Sequence, residues 1–261
     1  MPRKRIIIVS LVILLLAIVA SFLLLRQSGS PIASPITGSS NGNKNTTTNP
    51  KPVAFDAKRY SLDEPSSPWI VVNKLRSLNP KTYAPTDLVV PNIPLRGNIT
   101  PTEKYVRKET ANGLEKMIAD ANKEGVHLNL QSGYRSYDFQ VTLYNRYVAQ
   151  QGQAAADTQS ARPGYSEHQT GLAADLGGTS NPSCNVEACY STTVEGKWLA
   201  TNGYKYGFVV RYPDGKTPIT GYTYEPWHVR YVGTELASEM HDKNIQTLEE
   251  FFGLPAAPDY Q

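Results

Sequence analysis

The first long apolar run of the chain covers residues 6–25, which carry no charged side chain. At about 1.5 Å per residue, a helix of that length spans about 30 Å, the thickness of the hydrocarbon layer of a membrane. The basic residues 3–5 precede the run, and the positive-inside rule then places the rest of the chain outside the cytoplasm. Because a cleavable signal peptide usually has a shorter apolar core, the pattern favours an uncleaved anchor over a signal peptide.

The chain becomes strongly polar after this run. Residues 27–52 are almost all Ser, Gly, Asn, Thr, Pro and Lys, a composition that buries too little apolar area to offset the entropy of ordering. We therefore predict three parts: a basic cytoplasmic stub and membrane anchor over residues 1–26, a flexible extracytoplasmic linker over 27–52, and a folded domain over 53–261.

The folded domain begins with a stretch that has no clear periodicity. Residues 53–99 mix prolines with short apolar runs such as 69–72 and 88–90. This pattern predicts an extended segment that wraps around the domain and contains short strands at most.

Helical and alternating patterns follow each other in the next part of the chain. Thr100-Pro101-Thr102-Glu103 combines a capping threonine, a proline at the first helical position and a glutamate, and apolar residues then recur at helical spacing up to Gly125. Residues 126–131 alternate between apolar and polar, as a strand with one buried face does. Ser136 can cap a second helix, which places Arg135 at a strand-to-helix junction.

The second half of the domain is richer in predicted strands. Asp214-Gly215 is a turn signal between two of them and predicts a hairpin. Because strands and helices do not alternate regularly, we predict an α+β fold with a mainly antiparallel central sheet flanked by helices. The predicted elements are strands over 172–176, 208–212 and 219–224, a short helix over 197–202, and one or two amphipathic helices within 234–252.

Composition limits the classes of function. The 261 residues are 40% hydrophobic and carry a net charge of +3, which suits one full-sized core and lacks the clustered basic residues of a nucleic-acid-binding surface. We expect a monomer. Cys184 and Cys189 are the two cysteines, and in an oxidising compartment a small disulfide ring is the favoured interpretation, with two free thiols as the alternative.

Two short stretches carry candidate metal chemistry. His168 and Asp175 lie seven residues apart around a glycine, and Glu225 precedes His228 by three residues. A catalytic zinc takes three protein ligands and keeps one position open for water, and hydrolysis also needs a base that does not bind the metal. The spacing therefore indicates a hydrolytic zinc centre, although spacing alone does not decide it.

Several motifs resemble a known family when they are taken together. The stretches in question are Ser132-Gly133-Tyr134-Arg135-Ser136, Ser166 to Asp175, Lys205-Tyr206-Gly207-Phe208, Arg211-Tyr212-Pro213, Glu225 to Gly233, and Thr247-Leu248-Glu249-Glu250. In order and content they resemble the VanY-type D-alanyl-D-alanine carboxypeptidases of the LAS zinc peptidase group, over roughly residues 69–252.

The resemblance implies roles for individual residues. His168, Asp175 and His228 would bind one Zn²⁺ per chain, Glu225 would be the catalytic base, and Arg135 would be a catalytic residue that faces the substrate. The substrate-binding residues it implies in addition are Gln140, Ser166, Tyr212 and Trp227. For Tyr212 and Trp227, a role as half-buried packing residues is the structural alternative.

Other roles also stay open for Arg135 and Glu225. The planar donor fork of Arg135 suits either the terminal carboxylate of a substrate or a developing oxyanion, and a local ion pair with Asp138 is the structural alternative. For Glu225, the structural alternative is a surface carboxylate paired with Arg230.

The function implied by the resemblance is removal of the terminal D-alanine from peptidoglycan stem peptides by attack of a zinc-bound water. A single-pass membrane anchor with an extracytoplasmic catalytic domain would meet this substrate. The alternatives are an LD-carboxypeptidase or a peptidoglycan endopeptidase with the same zinc centre, and, in a different class, a non-hydrolytic module that binds the cell wall.

Overall fold

The structure is a computed structural model that describes residues 55–261. The strands are β1 (Leu88–Val89), β2 (Val106–Arg107), β3 (Leu128–Ser132), β4 (Ala173–Gly178), β5 (Phe208–Tyr212) and β6 (Glu225–Tyr231). The helices are α1 (Lys108–Lys123), α2 (Tyr137–Gln151), α3 (Gln153–Gln159), α4 (Val194–Asn202), α5 (Thr217–Thr220), α6 (Thr234–Asp242) and α7 (Leu248–Phe252). Short 3₁₀ turns cover Glu167–Thr170, Pro182–Cys184, Ala188–Thr192 and Gly203–Tyr206.

The central sheet has four strands in the order β3-β4-β6-β5, and every neighbouring pair is antiparallel. The buried face of α1, with Leu114 and Met117, packs in one core with Leu128 and Leu130 of β3 and Leu176 of β4. This arrangement confirms the predicted α+β fold with an antiparallel sheet and flanking helices.

The segment before β1 contributes buried side chains rather than strands. Trp69 and Val71 share a second core with Leu236 and Met240 of α6, and the Trp69 indole Nε1 donates to the Val232 carbonyl oxygen at 2.8 Å. Residues 69–72 are buried in an irregular conformation, and the two-residue β1 covers part of the apolar run 88–90, in agreement with a segment that contains short strands at most.

The helix predicted to begin at Thr100 begins only at Lys108. Thr100 and Glu103 still interact, since the Thr100 hydroxyl donates to Glu103 Oε2 at 2.8 Å, but this pair closes a turn. The buried Glu103 also accepts from the Ser132 hydroxyl at 3.1 Å, and β2 pairs with β1 before the helix begins. Tertiary partners of Glu103 thus override the local capping signal.

The hairpin of β5 and β6 is present, but the strand predicted over residues 219–224 is wrong. Residues 217–220 instead form α5, with Pro218 in its first turn. The strand begins at Glu225, which pairs with Tyr212 across an irregularity in the ladder. Pro226 has no N–H to donate, and its place near the start of β6 is one that a sheet tolerates.

Other predicted elements agree with the structure more closely. The Ser136 hydroxyl caps α2 by accepting from the Phe139 N–H at 3.2 Å, and α6 and α7 both lie within residues 234–252. Cys184 and Cys189 form a disulfide with their Cα atoms 5.3 Å apart. It closes a loop between β4 and α4.

The predicted anchor over residues 6–25 and the linker over 27–52 lie outside the described residues. Within residues 55–261, none of the helices combines the length and the apolar character needed to cross a membrane.

Candidate metal and catalytic centre

Two neighbouring strands and one turn bring the candidate ligands together. Asp175 on β4 and His228 on β6 are directly paired in the sheet register. His168 lies in the turn that leads into β4, and this turn ends at Gly171 in the left-handed conformation, with φ +68°, which glycine adopts at little cost. Sheet pairing and one tight turn therefore place all three side chains at the same point.

The donor atoms of these residues converge on Asp175. His168 Nε2 lies 3.4 Å and His228 Nδ1 lies 3.2 Å from Asp175 Oδ1, and one ligand atom from each of the three residues lies within 4.8 Å of the others. Ligands bound tetrahedrally at about 2.0–2.2 Å are separated from one another by roughly 3.3–3.5 Å. The two distances to Asp175 match this separation, and the limit of 4.8 Å for all three pairs is compatible with one shared metal ion.

The surroundings of the cluster also fit a cation. All three residues are buried, and Asp175 Oδ1 has no hydrogen-bond partner among the described residues. The Gly133 carbonyl oxygen lies 2.6 Å from His168 Nδ1, an arrangement in which Nδ1 donates and Nε2 keeps its lone pair toward the cluster. A buried acceptor without a partner beside two imidazoles is expected where a metal completes the site.

The electrostatics agree with this assignment. Burial lowers the pKa of His168, and Arg135 lowers it further, which favours the neutral imidazole that a metal requires. Burial also acts to lower the pKa of His228, but the nearby carboxylates of Asp175 and Glu167 outweigh it and raise the pKa to about 9. The carboxylates around His228 therefore favour positive charge at this position.

Glu225 stands beside the ligands at the entrance of β6. Its Oε2 lies 3.6 Å from His228 Nδ1, and its side chain is 13% exposed. Burial raises the pKa of Glu225 to about 7, with repulsion from Asp175 adding to it and His228 and Arg135 opposing it. The alternative pairing with Arg230 is wrong, since the Arg230 guanidinium donates to Glu167 at 2.8 Å.

Arg135 points into the same site. Its Nη2 donates to Asp175 Oδ2 at 2.7 Å and to the Ser132 hydroxyl at 2.8 Å, and its Nε lies 3.4 Å from Glu103 Oε1. These contacts replace the local ion pair with Asp138 that was the structural alternative.

A cavity of about 840 Å³ opens over the cluster. Ser166, Tyr212 and Trp227 line it, as predicted, together with Arg135 and Glu225. Gln140 does not line the cavity. Its buried amide Nε2 donates to the Ser160 hydroxyl at 3.2 Å and to the Ala161 carbonyl oxygen at 2.7 Å, so that it supports the cavity wall formed by residues 160 and 161 from behind.

Four buried charged residues behind the site were not predicted from the sequence. Glu167, Arg211, Arg230 and Glu249 are all almost completely buried and are joined by ion pairs of 2.7–2.8 Å. The signal was available, because each of them lies within a motif that carries the resemblance. The two arginines carry a further signal, because each lies among apolar and aromatic residues of a strand, where a charge is rarely buried unless it is paired.

We expect Gly133→Ala to destabilise the protein by about 1–3 kcal/mol, the usual cost of overpacking. An added Cβ would overlap the backbone carbonyl oxygens of Tyr105 and Glu103, and the Gly133 carbonyl also orients His168. Gly97→Ala is the matched control, since a Cβ there meets nothing within 4 Å. Urea unfolding of both variants checks the difference, and equal midpoints would contradict it.

Comparison with known proteins identifies the family. The family model described as VanY, D-alanyl-D-alanine carboxypeptidase, matches residues 103–234, a span that includes every candidate ligand, Glu225 and Arg135. The chain belongs to the VanY family. It is accordingly a hydrolytic enzyme of the metallopeptidase class, and not a module that only binds the cell wall.

Individual relatives support this family. The putative carboxypeptidase YodJ of Bacillus subtilis (strain 168) is 43% identical over 192 residues, which cover 74% of this chain and 69% of YodJ. Among solved structures, the LD-carboxypeptidase LdcB has a TM-score of 0.68 and 43% identity, covering 72% of this chain and 87% of LdcB. A mutant of the D,D-pentapeptidase VanY from a VanB-type resistance cassette, in complex with Zn(II), has a TM-score of 0.57 and 31% identity. The match covers 70% of this chain and 97% of that VanY chain.

Proposed function

We propose that this VanY family member is a zinc-dependent D-alanyl-D-alanine carboxypeptidase that removes the terminal D-alanine from peptidoglycan stem peptides. The observation that carries the proposal is the convergence of His168, Asp175 and His228 beside a carboxylate, Glu225, that is not needed as a ligand. The zinc complex of the related VanY enzyme supports the choice of metal.

Each residue has a defined task in this proposal. His168 Nε2, Asp175 Oδ1 and His228 Nδ1 are the atoms that would hold the ion. Zinc, when bound, supplies a Lewis acid and makes water reactive near neutral pH. Glu225 takes a proton from the attacking water as its oxygen bonds to the scissile carbonyl carbon. It then passes the proton to the amino group of the departing D-alanine as the C–N bond breaks.

Arg135 acts on the substrate side. Two of its nitrogens are engaged by Ser132 and Asp175, while its Nη1 makes no hydrogen bond to any residue within 55–261. This free donor suits the oxyanion that forms on the carbonyl oxygen or the terminal carboxylate of the peptide. Tyr212, Ser166 and Trp227 complete the wall against which the peptide end is held.

A second candidate is LD-carboxypeptidase activity with the same centre. The specific observation in its favour is the likeness to LdcB, at 43% identity. The two activities differ in the residue that precedes the departing D-alanine, and a cavity of this size accommodates either peptide end.

We expect the purified protein to cleave a pentapeptide ending in D-Ala-D-Ala and to lose this activity when it is treated with a chelator. Activity should return when about one equivalent of zinc is added, because the metal activates the attacking water. Mass spectrometry of the products provides the measurement. A tetrapeptide ending in L-Lys-D-Ala and a crosslinked muropeptide are the comparison substrates. Cleavage of the tetrapeptide alone would establish the LD activity, and internal cleavage alone would establish an endopeptidase.

We also propose that the catalytic domain lies outside the cytoplasm, attached through residues 6–25. The uncharged apolar run with basic residues before it supports this placement, and so does the disulfide between Cys184 and Cys189. Membrane fractionation of cells that express the full chain, with protease added from outside, tests it. A product found only in the cytoplasm would contradict it.

A further inference from the structure

One side of His228 faces the candidate metal ligands, and the other side faces a second carboxylate. The ring is oriented with Nδ1 3.2 Å from Asp175 Oδ1, and its Nε2 lies 3.6 Å from Glu167 Oε2. Within the described chain, both His228 Nε2 and Glu167 Oε2 are buried and lack a hydrogen-bond partner. The two unpartnered atoms face each other.

Metal binding at Nδ1 determines what Nε2 must do. A neutral imidazole that binds a metal through one nitrogen carries its proton on the other. A buried N–H without an acceptor costs free energy, and Glu167 Oε2 is the acceptor that faces it. The separation of 3.6 Å exceeds hydrogen-bond length by roughly half an ångström, which a small rotation of the ring covers.

We propose that Glu167 is a positioning residue that accepts the Nε2 proton of His228 and thereby keeps Nδ1 directed at the metal. This role rests on the proposed zinc site. It assigns a function to a carboxylate that is not one of the three candidate ligands.

The other oxygen of Glu167 is held firmly in place. Oε1 accepts from Arg211 Nε and from Arg230 Nη1, each at 2.8 Å. Two guanidinium groups hold this one oxygen and leave Oε2 directed at His228. Arg211 lies on β5 and Arg230 lies on β6, so the orientation of Glu167 is built into the sheet.

The two arginines are themselves anchored away from the site. Arg211 donates to both oxygens of Glu249 on α7, at 2.7 and 2.9 Å, and Asn73 also donates to Glu249 at 2.9 Å. Arg230 donates to the Ile70 carbonyl oxygen at 2.7 Å. The wrapping segment and α7 thus support His228 through these buried charges.

Glu249→Gln is the matched control for Glu167→Gln. Both substitutions remove one negative charge from the same buried network, and both carboxylates contact Arg211. Only Glu167 faces His228. A purely structural role for the network predicts equal effects of the two substitutions on metal binding, whereas the positioning role predicts a difference.

The experiment measures the zinc affinity of the full-length protein by competition with a chromogenic chelator, together with urea unfolding of each variant. We expect Glu167→Gln to weaken zinc binding by about 10- to 100-fold, as the loss of such an outer partner does, and Glu249→Gln to change it by less than about threefold. Equal affinities of the two variants would overturn the positioning role alone. A wild-type protein that binds no zinc would overturn the proposed function.

A measurement on the wild type keeps the test decisive if Glu167→Gln does not fold. In the zinc-loaded protein labelled with ¹⁵N-histidine, NMR reports which ring nitrogen of His228 carries the proton. We expect a protonated, hydrogen-bonded Nε2 with slow solvent exchange. A rapidly exchanging Nε2 proton, in a protein that binds zinc through Nδ1, would overturn the role of Glu167.

Discussion

Glu225→Gln is expected to lower kcat/KM by about 10²- to 10⁴-fold, the usual contribution of a general base, while zinc stays bound. The amide keeps the shape of the side chain but cannot take a proton from water. Zinc affinity is expected to persist because His168, Asp175 and His228 already supply three ligand atoms. Steady-state kinetics on the cleaved peptide, with metal analysis of the same samples, provide the measurement.

Glu239→Gln is the control for this prediction. Glu239 pairs with Lys243 on the surface of α6 and does not line the cavity, so the same chemical change there is expected to leave turnover intact. If Glu225→Gln retained the activity of the wild type, Glu225 would not be the base. If it lost zinc together with activity, Glu225 would have to be counted among the ligands.

Arg211→Met is expected to lower the free energy of unfolding by about 3–5 kcal/mol, the largest effect on stability that the structure suggests. Arg211 is almost completely buried and pairs with Glu167 and Glu249. Methionine fills a comparable volume but leaves two buried carboxylates with less compensating charge. Burying a charge without its partner is the costly step, since the desolvation of that charge is no longer offset.

Arg59→Met removes an arginine from a different setting and serves as the comparison. Arg59 and Glu235 form an ion pair in which both side chains are about half exposed, and such surface pairs contribute less than about 1 kcal/mol. Urea unfolding with and without zinc measures both variants. A cost of less than about 1 kcal/mol for Arg211→Met would contradict the importance of the buried charges.

Local signals in the sequence predicted those parts of the fold that depend on neighbours in the chain. Ser136 caps α2 as its position indicates, and the alternating residues near 128 form β3. The prediction of a helix start at Thr100 was wrong because Glu103, three residues later, contacts Ser132 and Arg135, which lie outside the local segment. The strand predicted over 219–224 failed because Pro218 starts a short helix there.

The same distinction between local and remote contacts applies to the candidate site. The sequence predicted the candidate ligands and the base because each motif is local. His168 and Asp175 lie in one motif, and Glu225 and His228 lie in another. The role of Gln140 was not predicted, since its amide turns away from the cavity toward Ser160 and Ala161. The partners of Arg135 and Arg230 could not be predicted either, because Asp175 lies 40 residues from Arg135, and Glu167 and Ile70 lie 63 and 160 residues from Arg230.

The sequence by itself determined the chemistry that this protein can carry out, because two imidazoles and two acids in the right motifs define a metal-dependent hydrolase of the VanY family. Only the tertiary structure decided how these groups are held. The pairing of Asp175 with His228 across β4 and β6 brings together ligands that are 53 positions apart, and Glu167 meets His228 because Arg211 and Arg230 arrive from neighbouring strands. Spacing along a chain specifies turns and single elements, whereas the distance between remote side chains depends on strand register and on buried charges that must find partners.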